Sequence, residues 1–473
     1  MTNATKNRLQ ARFKQLLDDT KQSPRTLFDI EAMTLQLREQ LTAITLEEIS
    51  NEAKENQQRE TPENAPALSP AEQTNAAPTN LETNIGSASK ICCPLCHRAA
   101  WYKGERSRHL TTRAGILCLI RRYYYCKRCK KGTCPVDARL HLPADSQFTA
   151  PVRQKVAYLC ALLPFDAAMK TLHYLANIAV SARSAQRLCK EAQHSAARFA
   201  EAFTKERDKQ CLPLAFAAAL PASLPRPEVL YIQADGVQTP MRGGSYKEMK
   251  IGVVRSEHKD GREDRPSRYV NHLGEAKDFA PRLESLAIAC GSLCAKSLVF
   301  LGDGAAWLWN IAQSRFPKAV QILDFWHALE YVAAVARDAF KDAAKDAAKD
   351  AWLCARATEM KASAWGLFGA ALAIVRPCAA ESVDAVVRYF GNHACRMDYA
   401  KYLKAGLCIG SGLAESSCKR IVTQRLKGSG MRWSEPGAQS MGLLRCLLLG
   451  GEWEALVSFW NRQLDGAISS PLS

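Results

Sequence analysis

Two Cys-x-x-Cys pairs, Cys93 with Cys96 and Cys126 with Cys129, stand 29 residues apart in this chain of 473. No other feature narrows the local fold as much. A Cys-x-x-Cys turn holds two thiolates at the angle tetrahedral zinc requires, and two such turns complete one closed, structural site. The intervening "RAGILCLIRRYYYC" has the aromatic and β-branched content of strands, so a zinc ribbon over residues 91–137 with one structural Zn²⁺ is expected. Cys92 and Cys134 lie close by but complete no pair. The 18 cysteines are otherwise scattered, which argues against a disulfide framework and for a reducing, cytoplasmic setting. The polar opening Met1–Gln10 has no signal-peptide stretch, and no apolar run reaches the roughly 18 residues of a bilayer span. No membrane is therefore expected as a partner.

Charge points to a polyanion. Lys and Arg number 64 against 47 Asp and Glu, a net +17, and residues 91–134 alone hold eleven basic residues against Glu105. Nucleic acid ranks ahead of an anionic membrane surface, which also suggests a nucleoid-associated location. Within the ribbon, Arg121, Arg122, Lys127 and Arg128 are expected to touch phosphate. Tyr123–Tyr125 would either stack on bases or pack the ribbon. The helical region that follows, 138–204, contains "FDAAMKTLHYLANIAVSARSAQRLCKEA", two helices joined at Asn177–Val180 with Ser181 placed to cap the second. A helix-turn-helix would offer Arg183 and Arg187 to a DNA groove. An ordinary helical hairpin fits the same pattern.

The rest of the chain divides by composition. Residues 1–50 place Leu27, Ile30, Met33, Leu37 and Leu41 at helical spacing, as a pairing arm or as a helix docked on its own core. Residues 51–90, with four prolines and no aromatic, read as a disordered linker. A Pro-broken connection through Pro213–Pro227 leads to Glu228, where short apolar strands begin to alternate with helices: "EVLYIQAD", "YKEMKIGVVR", "SRYVNHLG", the helix "DFAPRLESLAIAC" with Asp278 as N-cap, "KSLVFLGDG", the helix "AWLWNIAQSRF", and "AVQILDFWH". That succession predicts an α/β domain built on a mixed sheet over 228–327. An all-helical stretch of Ala, Leu and Lys follows over 328–402, and the core resumes over 403–465.

Three acids stand out. Asp235 and Asp303 each end an apolar strand and precede Gly, which exposes a carboxylate at the sheet edge. Each alone is a common Asp-Gly turn. Glu415, in "GSGLAESSCKRIVTQRLK", falls in the first turn of a helix beginning near Leu413. Three converging carboxylates repel one another unless cations join them, and hard oxygen ligands favour two Mg²⁺ or Mn²⁺ ions, the arrangement phosphodiester chemistry uses. The acid-free run after Glu415, with Lys419, Arg420, Arg425, Lys427 and Arg432, would hold the DNA backbone or form a solvated face.

At this point the residues resemble a known group. "ADG" at 234–236, "YKEMKIGVV" from Tyr246, "GDGAAWLW" from Gly302, "FPKAVQILDFWHALEYV" from Phe316 and "GSGLAESSCKRIVTQRLKGSGMRWSEPGAQ" from Gly410 together resemble bacterial insertion-sequence transposases of the ISKra type, which are DDE transposases with an RNase H-like catalytic core. The likeness covers roughly 91–460. It implies Asp235, Asp303 and Glu415 as the catalytic, Mg²⁺-binding triad, and Asp324 and His327 of "DFWH" as residues that support the site or contact DNA. It further implies a helical insertion after the fifth strand, terminal inverted repeats and target DNA as partners, and a homo-oligomer. A hydrolytic nuclease or resolvase on the same core, and a catalytically inactive zinc-ribbon DNA-binding protein, are the alternatives.

Overall fold

The computed structural model describes residues 2–19, 37–38, 40–49, 89–139, 142, 146–210, 226–257, 263–341 and 346–469. Residues 51–88 of the expected linker, the 211–225 connection and the arm positions Leu27, Ile30 and Met33 lie outside these, and Lys90, expected to end the linker, instead opens a strand. The chain forms two compact units, one of Met1–Cys160, Phe165–Cys189 and Ser458–Ser473, the other of Ala161–Pro164 and Lys190–Val457. Among the described residues no helix is long and apolar enough to cross a membrane.

In the first unit, α1 (Asn3–Asp19) is tied to α2 (residues 40–49) by Arg8 and Arg12, which bond Glu47 and Glu48 at 2.9–3.0 Å. Four antiparallel strands follow in the order β1 (Lys90–Cys92), β2 (Ala99–Thr112), β3 (Gly115–Cys126) and β4 (Lys131–Thr133). β2 and β3 form a long hairpin closed by a two-residue turn between Thr112 and Gly115. Leu110, Leu117 and Leu119 alternate onto one face of the hairpin and pack with Val136 of α3 (Pro135–Arg139) and Leu46 of α2. Helices α4 (Ala150–Leu162), α5 (Phe165–Ala176) and α6 (Ala182–Gln210) follow. Ser181 Oγ accepts from the Ser184 N–H at 3.1 Å and so caps α6.

The second unit is built on a five-stranded sheet ordered β7-β6-β5-β8-β9, with β5 (Val229–Pro240), β6 (Tyr246–Glu257), β7 (Glu263–Leu273), β8 (Ser297–Gly302) and β9 (Val320–Leu323). β6 runs antiparallel to both β5 and β7, whereas β8 and β9 run parallel to β5. Every residue from Val229 to Ala234 is buried, because β5 is central and covered on both faces, which is why this run is apolar but for Gln233 rather than alternating. α7 (Ala276–Ala289) follows β7, and α8 (Ala306–Arg315) follows β8. The N-cap of α7 is Glu275, not Asp278, which sits one turn further in.

After β9 come α9 (Phe325–Ala339), α10 (Asp346–Lys361), α11 (Trp365–Val375), α12 (Ala380–His393) and α13 (Tyr399–Lys404). These helices share the sheet's core. Val332, Met360, Phe368, Leu372 and Val386 belong to one apolar cluster with Leu230, Val299, Phe300 and Ile322. The chain then forms α14 (Gly412–Cys418), a π-helical turn over Lys419–Thr423, α15 (Gln424–Leu426), α16 (Glu435–Leu449) and α17 (Trp453–Ser469).

Candidate functional site

The four cysteines meet. Each Cys-x-x-Cys pair lies on a tight turn, the first between β1 and β2 and the second between β3 and β4, and pairing of β2 to β3 brings the two turns together. The Sγ atoms of Cys93 and Cys129 are 4.0 Å apart and those of Cys96 and Cys126 are 3.6 Å apart. All four ligand atoms lie within 4.8 Å of one another. The residue after each pair, His97 and Lys130, adopts a left-handed backbone conformation (φ 57° and 53°), so the two turns are near copies. Cys126 is held down to about 7, chiefly by the Cys129 backbone N–H, while the neighbouring Cys96 thiol pushes Cys129 up. Four soft thiols at these separations are a donor set for a tetrahedral metal such as zinc. Ile91, Ala100 and Tyr124 pack around the cluster, which has few other apolar neighbours.

The acids are gathered by different means. β5 and β8 run in parallel register as far as Gln233 opposite Leu301, so Asp235 and Asp303 each follow two residues later; Asp303 lies just past the end of β8, whereas Asp235, expected to end its strand, lies midway along β5, which runs on to Pro240 because its pairing with β6 continues. Burial first, and the nearby charge of Asp303 after it, raise the Asp235 carboxyl above its ordinary range, while the Gly236 N–H, 2.6 Å from Oδ1, pulls the other way. Glu248 adds to the repulsion. Its carboxylate lies over Gly236, where any side chain would collide with it, and it pairs with the buried Lys250. Lys250 also donates to the Gly274 carbonyl at 3.0 Å. Cys418 of α14 is hydrogen-bonded to Asp235, and burial beside that carboxylate keeps its thiol protonated.

Glu415 stands apart from the pair. It lies on α14, which is docked on β5 through the Ala414 N–H and Gln233 Oε1 (3.2 Å), but its own side chain is exposed and paired with Lys419 at 2.8 Å. Among the described residues, the cysteines form the one set of three or more possible ligands whose atoms all lie within 4.8 Å of each other. Asp235 and Asp303 are thus brought together, and Glu415 is brought to the neighbourhood but held by its own helix.

Asp324 explains how α14 is held. It is buried and caps α9, accepting from the N–H groups of Trp326 (2.6 Å) and His327 (2.9 Å), and it also takes the N–H (2.5 Å) and the hydroxyl of Ser411, the residue from which α14 starts. One carboxylate therefore joins the start of α9 to the start of α14. His327 Nδ1 lies 3.2 Å from Glu330, and its ring meets Tyr331 and Tyr389 edge-on.

Residues 97–463 match the model of a protein family described as "Uncharacterised protein family (UPF0236)". The chain belongs to the UPF0236 family. A protein of Streptococcus gallolyticus described as "UPF0236 protein in vanSb 3′region" is 24% identical to it over 346 residues, which is 71% of either chain. The family match starts just after Cys96. It takes in Cys126 and Cys129, all three acids, Asp324 and His327.

In this UPF0236 chain the basic residues singled out for DNA separate into two kinds. Lys127, Arg128, Arg183, Arg187, Lys419, Arg420, Lys427 and Arg432 are exposed, and Arg122 is half-buried. Arg121 and Arg425 are corrections. Arg121 alternates to the packed face of the hairpin, where it and Arg108 share the Asp137 carboxylate. Arg425 is 1% exposed and lies over the Trp433 ring. Inside the π-helical turn the backbone is caught by Arg445, which donates to the carbonyls of Arg420 and of Ile421 (2.8 Å).

Four residues of this neighbourhood escaped the sequence reading: Glu248, Lys250, Tyr389 and Cys418. Only Lys250 carried a usable signal, as a lysine among Met249, Ile251 and Val253 in an otherwise buried strand.

Proposed function

We propose that the chain is a DDE transposase with an RNase H-like core, which cuts DNA at the ends of its element and joins the 3′ ends to a target. The observation that carries this reading is the pair of mutually repelling carboxylates, Asp235 and Asp303, each two residues past the point where the parallel pairing of β5 and β8 stops. The strand order, with β5–β7 antiparallel and β8 and β9 parallel to β5, is the one an RNase H-like core requires. Lys419, Arg420, Lys427 and Arg432, which follow Glu415 in the chain, are exposed and suit a phosphate backbone.

The donor set fits a hard divalent ion. Asp235 and Asp303 offer carboxylate oxygens, and their repulsion is the kind a cation relieves. Mg²⁺ or Mn²⁺, as a pair of ions, would supply activation of an attacking water or 3′-hydroxyl oxygen and neutralisation of the leaving oxygen. Asp235 and Asp303 would hold that charge at the sheet edge. Glu415 would join them by exchanging its pairing with Lys419, and Lys419 would then be released toward the DNA. Exposed arginines and lysines of the ribbon and of α6 would bind the duplex, and the zinc-bound cysteine turns would keep the ribbon folded. Action as a homo-oligomer on two element ends is part of the same reading.

One observation favours a different function, that of a DNA-binding protein with an idle core: Glu415 is ion-paired away from the other two acids. The two are separated by incubating the full-length chain with Mg²⁺ and a plasmid that carries its gene with the flanking DNA, then mapping nicks to the nucleotide. Asp235→Asn, Asp303→Asn and Glu415→Gln should each abolish nicking and leave DNA binding intact. Nicking at wild-type rates in the three variants, or none by the wild type, refutes the proposal. Pre-cleaved ends that are joined to a target distinguish a transposase from a hydrolytic nuclease.

A further inference from the structure

The turn that carries Asp303 is held from outside the sheet. Tyr389, on α12, is contributed by the helical stretch that separates β9 from α14. Its hydroxyl donates to the Asp303 carbonyl oxygen at 2.5 Å. The phenol sits against Gly304, whose φ of 102° is open to glycine and strained for other residues, and a Cβ at 304 would overlap the tyrosine ring. On its other side Asp303 is fixed by Oδ1, which accepts the Ala305 N–H at 3.0 Å. Carbonyl and carboxylate of one residue are therefore both clamped, the first by a side chain 86 positions away.

The clamp is itself braced. Tyr331 of α9 stacks on Tyr389 with ring centroids 4.1 Å apart and planes 10° from parallel. His327 meets both rings edge-on, and His393 meets Tyr389 at 4.8 Å. His327 thus belongs to the brace behind Asp303, while Asp324, three residues earlier, anchors the start of α14. Two residues in one turn of chain reach toward the two separate halves of the acid site.

Resting on the transposase reading of Asp235 and Asp303, we propose that Tyr389 is a positioning residue: its hydroxyl sets the Asp303 peptide, and through it the affinity of the sheet edge for a divalent cation. A neutral buried hydrogen bond is worth roughly a factor of 5 to 10 in an equilibrium constant. Tyr389→Phe removes that bond and keeps the ring and its stack.

The test is Mn²⁺ binding to the full-length, zinc-loaded chain, followed by the electron paramagnetic resonance signal of free Mn²⁺, with thermal melting as the check on folding. Tyr389→Phe should raise the Mn²⁺ dissociation constant roughly 5- to 10-fold with a melting midpoint close to wild type. Tyr331→Phe, which leaves the stack and the Tyr389 hydroxyl in place, should bind as wild type does. An equal loss in Tyr331→Phe would assign the effect to general packing and overturn the proposal. Asp303→Asn should abolish binding. If it does and Tyr389→Phe binds like wild type, the positioning role falls and the reading of the site survives; if Asp303→Asn binds like wild type, both fall.

Discussion

The cysteine cluster and the acid site both collect residues distant in sequence, yet they do so with different amounts of help. The cysteines come from two nearly identical turns 29 residues apart, joined by strands that pair directly, and their four sulfurs already lie within coordination reach. The acids come from the middle of β5, the end of β8 and a helix, spread over 235–415, and one of the three is paired elsewhere. A site closed by local turns is complete as soon as its hairpin forms. The acid site depends on long-range fasteners: Asp324 bridging two helix starts, Tyr389 clamping the Asp303 peptide, and Gln233 receiving α14. Structural sites can be closed in this way, whereas under the proposed function a site that admitted and released DNA would gain from having one ligand in reserve.

That contrast can be broken most forcefully at the cysteines. Few apolar residues pack around them, so removing zinc, by chelation or by Cys126→Ser, should unfold β1, β4 and the adjoining ends of β2 and β3, which lie away from the leucine cluster at the hairpin's other end, with chelation costing about 10 kcal/mol or more. Metal analysis should find one zinc per chain. Hydrogen exchange would expose the failure: protection of these strands that survives chelation means the metal is not what closes them.

A smaller loss is expected at the acid site's principal fastener. Asp324→Ala leaves two helix starts and the Ser411 hydroxyl without their acceptor, for about 3 kcal/mol in denaturant unfolding. Asp324→Asn should recover part of it. A stability change below about 1 kcal/mol would mean that α14 is held by packing alone.

Asp235 should respond in the opposite direction. Its native carboxyl binds a proton more tightly than in the unfolded chain, so in the absence of divalent ions its contribution to stability falls as pH rises from about 4 through the raised native value. Asp235→Asn should therefore melt higher than wild type at pH 7, with the gap closing toward pH 4. A variant that melts lower at pH 7 would show that the carboxylate is stabilised rather than strained.

The least effect belongs to the Glu415 pairing. Lys419→Ala removes an exposed i,i+4 ion pair and should change stability by about 0.5 kcal/mol or less. A much larger loss would mark the pair as structural and Glu415 as permanently engaged.

Much of this was legible in the order of residues. Cys-x-x-Cys spacing is a statement about a single turn, and the run from Val229 to Ala234 is apolar but for Gln233 because a central strand is covered on both faces. Asp303 does follow the end of its apolar strand, but Asp235 lies midway along β5, whose hairpin with β6 carries it on to Pro240. Other properties had no local trace. Arg121 and Arg122 look alike in the sequence, and the pleat sends them to opposite faces, one onto Asp137 and the other outward. Arg425 sits within a basic run and is nonetheless buried over Trp433.

What the sequence alone determined were the features whose geometry closes within a few residues: the paired cysteine turns, the turn at Asp303 that follows β8, the cap at Ser181 and the cationic balance. What only the tertiary structure decided was which carboxylates share a neighbourhood, which arginines are spent on internal partners, and that Tyr389 and Asp324 hold the site. Those outcomes depend on strand register and on helix packing across 80 to 180 residues, where burial and charge are set by partners that no local spacing specifies.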